Sequence, residues 1–474
     1  MSGPSEIRLT ARWVAAALEP VNGTLVAGDL VSEFTGVSID SRTVAGGELF
    51  LAIRGERFDG ADFAQAAIER GAAGVVAPRG RGRALASAGR AMVIEVADTT
   101  AALQALARAI RRESGAKVVA ITGSAGKTTT KEVTSEFLAA RYRVVCNRGN
   151  LNNHIGLPLS LMELRHRPEI AVVELGMSHA GEISTLVGVA EPDVRVWTNV
   201  GEAHLGFFAS IDAIADAKAE IFHGATASTL LVANADDDRI AARAPAFAGR
   251  TVTFGIDRAA DVRATAVVDG GIGGTSAHVV TPRGEFDLRT PLVGRGNLAN
   301  VLASTAVAIE FDIPLAAIAV RAERLRPSSH RGEVVELANG TTLVDDSYNA
   351  NPTATKRALD VLSGSKRASR RVAVLGEMLE LGERAIELHE DVGRAAARAG
   401  IDVLLTVGGG PAAALAEAAV TAGMPRDRVR HLATSEEAAE VAVALIKAGD
   451  LVLVKGSRGV RTDRVVERLK ATQG

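Results

Sequence analysis

Residues 118–128 read Val-Val-Ala-Ile-Thr-Gly-Ser-Ala-Gly-Lys-Thr, an apolar run that breaks at glycine and ends in Lys-Thr. A run this apolar has to be covered on both faces, and a loop of this kind follows the carboxyl end of a parallel strand, so the stretch alone points to an α/β fold. Gly123 and Gly126 permit backbone conformations closed to other residues, which lets the N–H groups of Ser124, Ala125 and their neighbours face one anion. A helix expected to begin at about Thr128 and continue through Thr129 adds its positive N-terminal end. Lys127 can reach the outer phosphate oxygens of a nucleoside triphosphate, and the Thr128 hydroxyl can hold the accompanying Mg²⁺. The spacing departs from the common phosphate loop, because only Ser124 and Ala125 separate the two glycines where that motif has four residues.

At 474 residues the chain exceeds one ordinary core, and a figure of about 150 residues per domain predicts three. The expected division is 1–113, a small N-terminal α/β domain; 114–326, a central ATP-binding domain with a parallel sheet; and 327–474, a C-terminal Rossmann-like α/β domain. Lys and Arg number 54 against 56 Asp and Glu, so no overall basic field recruits nucleic acid or an anionic membrane. Cys146 is the single cysteine, which excludes an internal disulfide; beside Val144 and Val145 it is expected to be a small buried hydrophobe. Residues 1–8 lack a basic region followed by an apolar core, and no apolar run reaches the ~18 residues of a membrane helix, so the expected location is the cytoplasm.

The first segment shows a short helix at 11–18, strands at 36–40 and 48–53, and helices at 62–69 and 100–111. Ser41 and Arg42, at a strand end, fit either a grip on a diphosphate or uracil edge or a turn with a solvated Arg. Asn152 and Asn153 stand in an amide-rich loop that suits a substrate carrying peptide bonds and carboxylates; Asn is also an ordinary turn residue. The strand at 170–176 should bring Glu174 beside the phosphate loop, where a carboxylate can hold Mg²⁺ or its waters. His204, after the strand at 194–200, is a ligand at the same rim or a structural histidine. By spacing, Lys218 in the helix at 211–222 reads as a solvated lysine. Asn297 and Asn300 share one face of a helix from 294 to about 310, placed for a purine edge or a helix cap. Strands at 342–344, 371–375, 402–407 and 450–454 alternate with helices and predict a second parallel sheet.

Together, Thr122-Gly-Ser-Ala-Gly-Lys-Thr128, Glu174-Leu-Gly-Met-Ser-His-Ala-Gly-Glu182, Ala203-His204, Lys218-Ala-Glu-Ile-Phe222, Asn297 with Asn300, His330-Arg331 and Asp346-Ser-Tyr-Asn-Ala-Asn-Pro352 resemble the Mur ligase family over nearly the whole chain. Asp345–Pro352 and Asn152–Gly156 look like the members that add D-alanyl-D-alanine; those that add diaminopimelate or lysine usually carry Asp-Tyr-Ala-His where this chain has Asp-Ser-Tyr-Asn. The resemblance implies an ADP-forming ligase of peptidoglycan synthesis, in which ATP activates the carboxylate of UDP-N-acetylmuramoyl-tripeptide for attack by the D-alanyl-D-alanine amine. It implies Lys127 and Thr128 on the phosphates and a first Mg²⁺ with Glu174 nearby, and His204 and a carbamylated Lys218 at a second Mg²⁺. It assigns Asn297 and Asn300 to the adenine side, and Arg331 and Asp346 to contacts with the nucleotide from a third domain that closes over the second. Ser41 and Arg42 match the uridine-diphosphate region. Asn152, Asn153 and Ser178 go to the tripeptide, and Tyr348, Asn349, Lys455, Ser457 and Arg458 to the dipeptide or tripeptide ends. A monomer acting on small molecules, without nucleic acid or membrane insertion, is expected. Another muramyl ligase, a folylpolyglutamate synthase and a nucleotide-switched binding protein are the alternatives.

Overall fold

Val118 and Ala120 enter one apolar core, while Val119 and Ile121 enter another. Side chains alternate along a strand, so this strand is buried on both faces. The computed structural model, which describes residues 5–86, 91–147, 149–365 and 368–473, sets it inside a nine-stranded sheet. From one edge the order is Val144–Cys146, Ile170–Glu174, Lys117–Thr122, Val194–Trp197, Leu230–Asn234, Arg250–Gly255, Val262–Asp269, Thr275–Thr281 and Gly284–Thr290. The first seven run parallel. The last two are antiparallel, which corrects the expectation of a wholly parallel central sheet. Pro282-Arg283 turns the chain straight back, and the buried residues Ala277, Val279 and Thr281 alternate with more exposed ones, the pattern of a strand covered on one face.

Helices Lys127–Leu138 and Gly294–Glu310 cover one face of this sheet. Helices Thr99–Ser114, Gly156–Leu161 and Glu182–Ala190 cover the other. From Lys117–Thr122 the chain moves to one side for Val144–Cys146 and Ile170–Glu174, then crosses to the other for Val194–Trp197. A crevice opens at the carboxyl ends where the connections diverge, the usual place for a ligand in such a sheet.

The N-terminal unit is a five-stranded sheet ordered Thr24–Ala27, Met92–Val96, Gly74–Pro78, Leu49–Leu51 and Val37–Ser38, its strands shorter than the sequence indicates. Helix Thr99–Ser114 joins it to the central unit, with the Arg111 guanidinium donating to the carbonyls of Ala190 and Glu191 and to Asp193. The C-terminal unit has six strands, ordered Glu333–Glu336, Thr342–Asp346, Asp450–Lys455, Arg370–Gly376, Val403–Val407 and Val429–Leu432. Only Glu333–Glu336 is antiparallel. That strand and Val429–Leu432 are not among the strands the sequence predicts. Cys146 is half-buried, not buried, because its strand is a sheet edge. No described helix is long and apolar enough to cross a membrane; of the N-terminal stretch read above, residues 1–4 lie outside the described residues.

Candidate active site

The phosphate loop is shaped by two glycines at positions with no room for a methyl in place of the α-hydrogen. Gly123 has φ +150°, and a Cβ there would stand 1.9 Å from Thr198 Oγ1. Gly126 has φ +81°, and its Cβ would stand 2.4 Å from Asn300 Oδ1. The loop leaving Val194–Trp197 supports the turn: Ala125 N–H donates to Asn199 Oδ1 at 2.9 Å, and the Ala125 carbonyl accepts from Asn199 Nδ2 and Thr198 Oγ1 at 2.9 Å each. The Ser124 hydroxyl donates to the Gly201 carbonyl and accepts from its N–H.

Helix Lys127–Leu138 starts directly after Gly126. Lys127 Nζ donates back to the Gly123 carbonyl at 2.8 Å. The Thr128 hydroxyl donates to Glu174 Oε2 at 2.7 Å, and Asn152 Nδ2 donates to Glu174 Oε1 at 2.7 Å. Glu174, at the end of its strand and 2% exposed, is thus a buried carboxylate with a donor on each oxygen. Gly176 lets Asn152 lie this close, since a Cβ on it would meet Asn152 Oδ1 at 2.6 Å. Thr129 lines a small hollow of about 260 Å³ with Glu132, Arg324, Arg326 and Ser328.

Lys218 contradicts the sequence reading, being 2% exposed. Ile214, Lys218 and Ile221 fall at i, i+4 and i+7 and all three are buried, so the stripe was present in the sequence. Its ammonium makes no hydrogen bond among the described residues. Burial, and then the charge of Lys127, push its pKa well below the ordinary lysine range. Burial also lowers the Lys127 pKa, opposed by Glu174 and assisted by Arg331. Lys127, Glu174, Lys218 and Arg331 are therefore one electrostatic cluster, with Arg331 contributed by the C-terminal unit. Arg195 ends the Lys218 segment from beneath, donating to the carbonyls of Ile221 and His223.

The other candidates are placed as follows. Asn300 Nδ2 donates to Asn297 Oδ1 at 3.2 Å and Asn297 Nδ2 to the Val293 carbonyl, so neither side chain caps the helix start. Asn153 Oδ1 accepts from the N–H groups of Ile155 and Gly156 at the start of Gly156–Leu161. Ser178 N–H donates to Glu182 Oε2. Arg331 lies over the Tyr348 ring, 4.0 Å from its centroid, and Arg458 approaches the same ring at 5.8 Å. Lys455 Nζ pairs with Asp346 Oδ2 at 2.6 Å and with the Asn349 carbonyl, and the Ser457 hydroxyl accepts from Leu379 N–H. His204 Nδ1 is 2.6 Å from Glu380 Oε2 of the C-terminal unit, a contact that lowers the Glu380 pKa. Arg42 turns onto Asp40 in its own loop with its side chain 84% exposed, and its hydrogen bonds do not reach the phosphate loop. Sequence reasoning missed Thr198, Asn199 and Glu380; a Thr-Asn pair directly after an apolar strand was the available signal for the first two.

The three segments match family models described as Mur ligase family, catalytic domain (33–111), Mur ligase middle domain (121–308) and Mur ligase, glutamate ligase domain (330–458). The chain belongs to the Mur ligase family and is an ATP-dependent ligase of that class. Within the family it is similar to UDP-N-acetylmuramoyl-tripeptide--D-alanyl-D-alanine ligase of Bacillus subtilis (strain 168), 34% identical over 97% of this chain and 98% of that protein. A crystal structure of MurF from Acinetobacter baumannii superposes with a TM-score of 0.88 at 30% identity, covering 99% of this chain and 100% of that one. MurF ligase from Thermotoga maritima in complex with ADP superposes with a TM-score of 0.79 at 30% identity, covering 92% and 97%.

The family implies Mg²⁺, which takes hard oxygen ligands and commonly binds through one or two protein groups, with phosphates and waters completing its shell. The Thr128 hydroxyl and the Glu174 carboxylate are an adjacent oxygen pair of that kind. Among the described residues no group of three His, Cys, Asp or Glu side chains assembles, so the donor set suits a metal delivered with a triphosphate and not one held in a full protein cage.

Proposed function

We propose that the chain joins D-alanyl-D-alanine to UDP-N-acetylmuramoyl-tripeptide in the cytoplasm, with the units divided at 113/114 and 326/327. The observation that carries this reading is the buried Glu174 carboxylate held by Thr128 and Asn152 beside the phosphate loop, where Lys218 feels the charge of Lys127, which in turn feels those of Glu174 and Arg331. The likeness to D-alanyl-D-alanine-adding relatives along the full chain supports the choice of substrates.

The γ-phosphoryl group passes from ATP to a carboxylate oxygen of the tripeptide and ADP leaves. The dipeptide amine then attacks the acyl carbon; a C–N bond forms, the bond to the phosphate oxygen breaks, and the amine gives up a proton. The obstacle is repulsion between carboxylate and γ-phosphate, and fixed cations in a water-poor crevice lower it more than they could in bulk water. Lys127 supplies one such charge from the phosphate loop and Arg331 supplies another from the facing unit. The backbone at the start of helix Lys127–Leu138 meets the phosphates, the N–H groups of Ser124 and Ala125 being taken by Asn199 instead of facing an anion as the sequence predicts. Asn297 and Asn300 serve the adenine side, and Asp346, paired with Lys455, sets the nucleotide side of the C-terminal unit. Ser41 and Arg42 hold the uridine diphosphate. Asn152, Asn153 and Ser178 orient the tripeptide; Tyr348, Asn349, Ser457 and Arg458 receive the peptide ends.

Thr128 and Glu174 are the residues for a first Mg²⁺, and His204 and Lys218 for a second; bound there, the ions would screen the phosphate oxygens. The neutral amine is the form of lysine that adds CO₂; a C–N bond forms, one proton leaves the nitrogen, and the product is an oxygen-bearing anion. Its burial and lowered pKa support carbamylation of Lys218 as part of this reading. Phosphate release that requires ATP, the UDP-linked tripeptide and D-alanyl-D-alanine together tests the reaction; release with ATP alone at the same rate overturns it. For Lys218, K218A should lose nearly all ligation and regain part of it with formate or acetate. A wild-type rate in K218A, or no ¹³C-bicarbonate adduct at Lys218, removes the modification.

A further inference from the structure

The loop after Val194–Trp197 has two jobs at its two ends. Its first part, Thr198–Gly201, holds the phosphate loop through Ser124 and Ala125. Its second part carries His204 and Gly206 and touches the C-terminal unit at Glu380–Gly382. Gly206 N–H donates to the Glu380 carbonyl at 2.8 Å. The two backbones cross so closely that a Cβ on Gly382 would lie 2.8 Å from Gly206 Cα, and one on Gly206 3.2 Å from the Glu380 carbonyl oxygen. His204 and Glu380 both adopt left-handed backbone conformations, φ +63° and +65°, which non-glycine residues adopt only where their surroundings hold them. The two residues so held are the two whose side chains meet, at 2.6 Å.

From this geometry we propose that Glu380 is a positioning residue: from the C-terminal unit it holds His204 Nδ1, so that the ring is oriented for its ligand only when the two units are docked. A carboxylate that accepts from Nδ1–H fixes the tautomer with its lone pair on Nε2, and Nε2 makes no hydrogen bond among the described residues. The phosphate loop and the C-terminal unit are thereby joined through one eleven-residue stretch, 198–208, and docking becomes a condition for completing the site. This inference rests on the reading above that His204 serves Mg²⁺.

The test counts bound Mn²⁺ by electron paramagnetic resonance with a non-hydrolysable ATP analogue and the UDP-linked tripeptide, without turnover, and follows compaction by small-angle scattering. E380A, checked for an unchanged melting temperature, should lose one Mn²⁺ and part of the ligand-induced compaction. Its kcat should fall by about tenfold to a hundredfold, with KM for D-alanyl-D-alanine changed less than about twofold. E380Q, which keeps an acceptor for Nδ1–H, should recover part of the loss. In the H204A background, E380A should cost little more, because the two act as one unit. Mn²⁺ lost in H204A but retained in E380A overturns the proposal, as does a full E380A penalty in the H204A background. Mn²⁺ retained in both variants overturns the assignment of His204 to the metal and the proposal with it, while leaving the ligase reaction standing on its own phosphate-release test.

Discussion

The phosphate cradle and the C-terminal rim face one crevice and are built by opposite means. In the cradle, Glu174 has a donor on each oxygen, Ala125 is held by Asn199, and glycines stand where any methyl would collide. On the rim, Asn349 is exposed, the Arg458 side chain is 65% exposed, and Arg331 rests on the face of Tyr348 with no carboxylate partner among the described residues. The cradle proposed to grip the nucleotide is prefabricated, so little ordering would remain to be done on binding. The rim proposed to receive the peptide ends is more open: the Asn349 side chain is exposed and Arg331 meets only a ring among the described residues, although Lys455, Ser457 and Arg458 already hold partners within their own unit.

The largest break in this comparison is G126A. A methyl at φ +81° is strained, and at 2.4 Å from Asn300 Oδ1 it must displace either the loop or the Asn300 side chain. A shift near 1 Å costs about a hundredfold in turnover when it moves reacting groups. ADP affinity by calorimetry should fall together with phosphate release, and wild-type affinity would show that the cradle is softer than described. On the rim the expected effect is smaller and one-sided. N349A should raise KM for D-alanyl-D-alanine by about five- to tenfold, the worth of one or two hydrogen bonds, and leave KM for ATP alone. Equal changes in both constants would take Asn349 out of the acceptor site.

The smallest effect concerns what lies under the rim. His389 Nε2 accepts from Met378 N–H while Nδ1 donates to the Ala385 carbonyl, and burial lowers its pKa from 6.5. Below about pH 6.5 the unfolded chain takes up a proton that the folded one refuses, so this contribution to stability is present above that pH and is lost as the pH falls. The melting temperature should drop by a few degrees between pH 7 and pH 5, and H389Q should flatten that dependence. An identical slope in H389Q would assign the acid sensitivity to other groups.

Residues 118–128 disclosed the parallel core, and Glu174 was legible because a carboxylate ending an apolar strand has few other reasons to be there. Lys218 was misread by spacing, since charge suggested solvent while the Ile214–Lys218–Ile221 stripe indicated burial. The antiparallel hairpin escaped because its strands follow seven parallel ones and because the burial of Thr275–Thr281 alternates while its residue types, Thr-Ser-Ala-His-Val-Val-Thr, scarcely do. Glu380 could not be read at all: its partner His204 is 176 residues away, and their contact depends on how two units pack. Local patterns report what a residue's neighbours in sequence require, and a contact between units leaves no such pattern.

The hairpin Thr275–Thr290 also decides what the sheet offers to other molecules. An unpaired strand edge is a template on which a second chain can add a strand and begin to aggregate. Here the last strand, Gly284–Thr290, carries Glu285, Asp287 and Arg289, with His278 alongside bonded to both acids, and helix Leu315–Ala322 packs against it. At the far edge the strand is only Val144–Cys146, three residues long. Nine strands of largely apolar sheet thus end in charge on one side and brevity on the other, and neither edge presents a register that an incoming strand could extend.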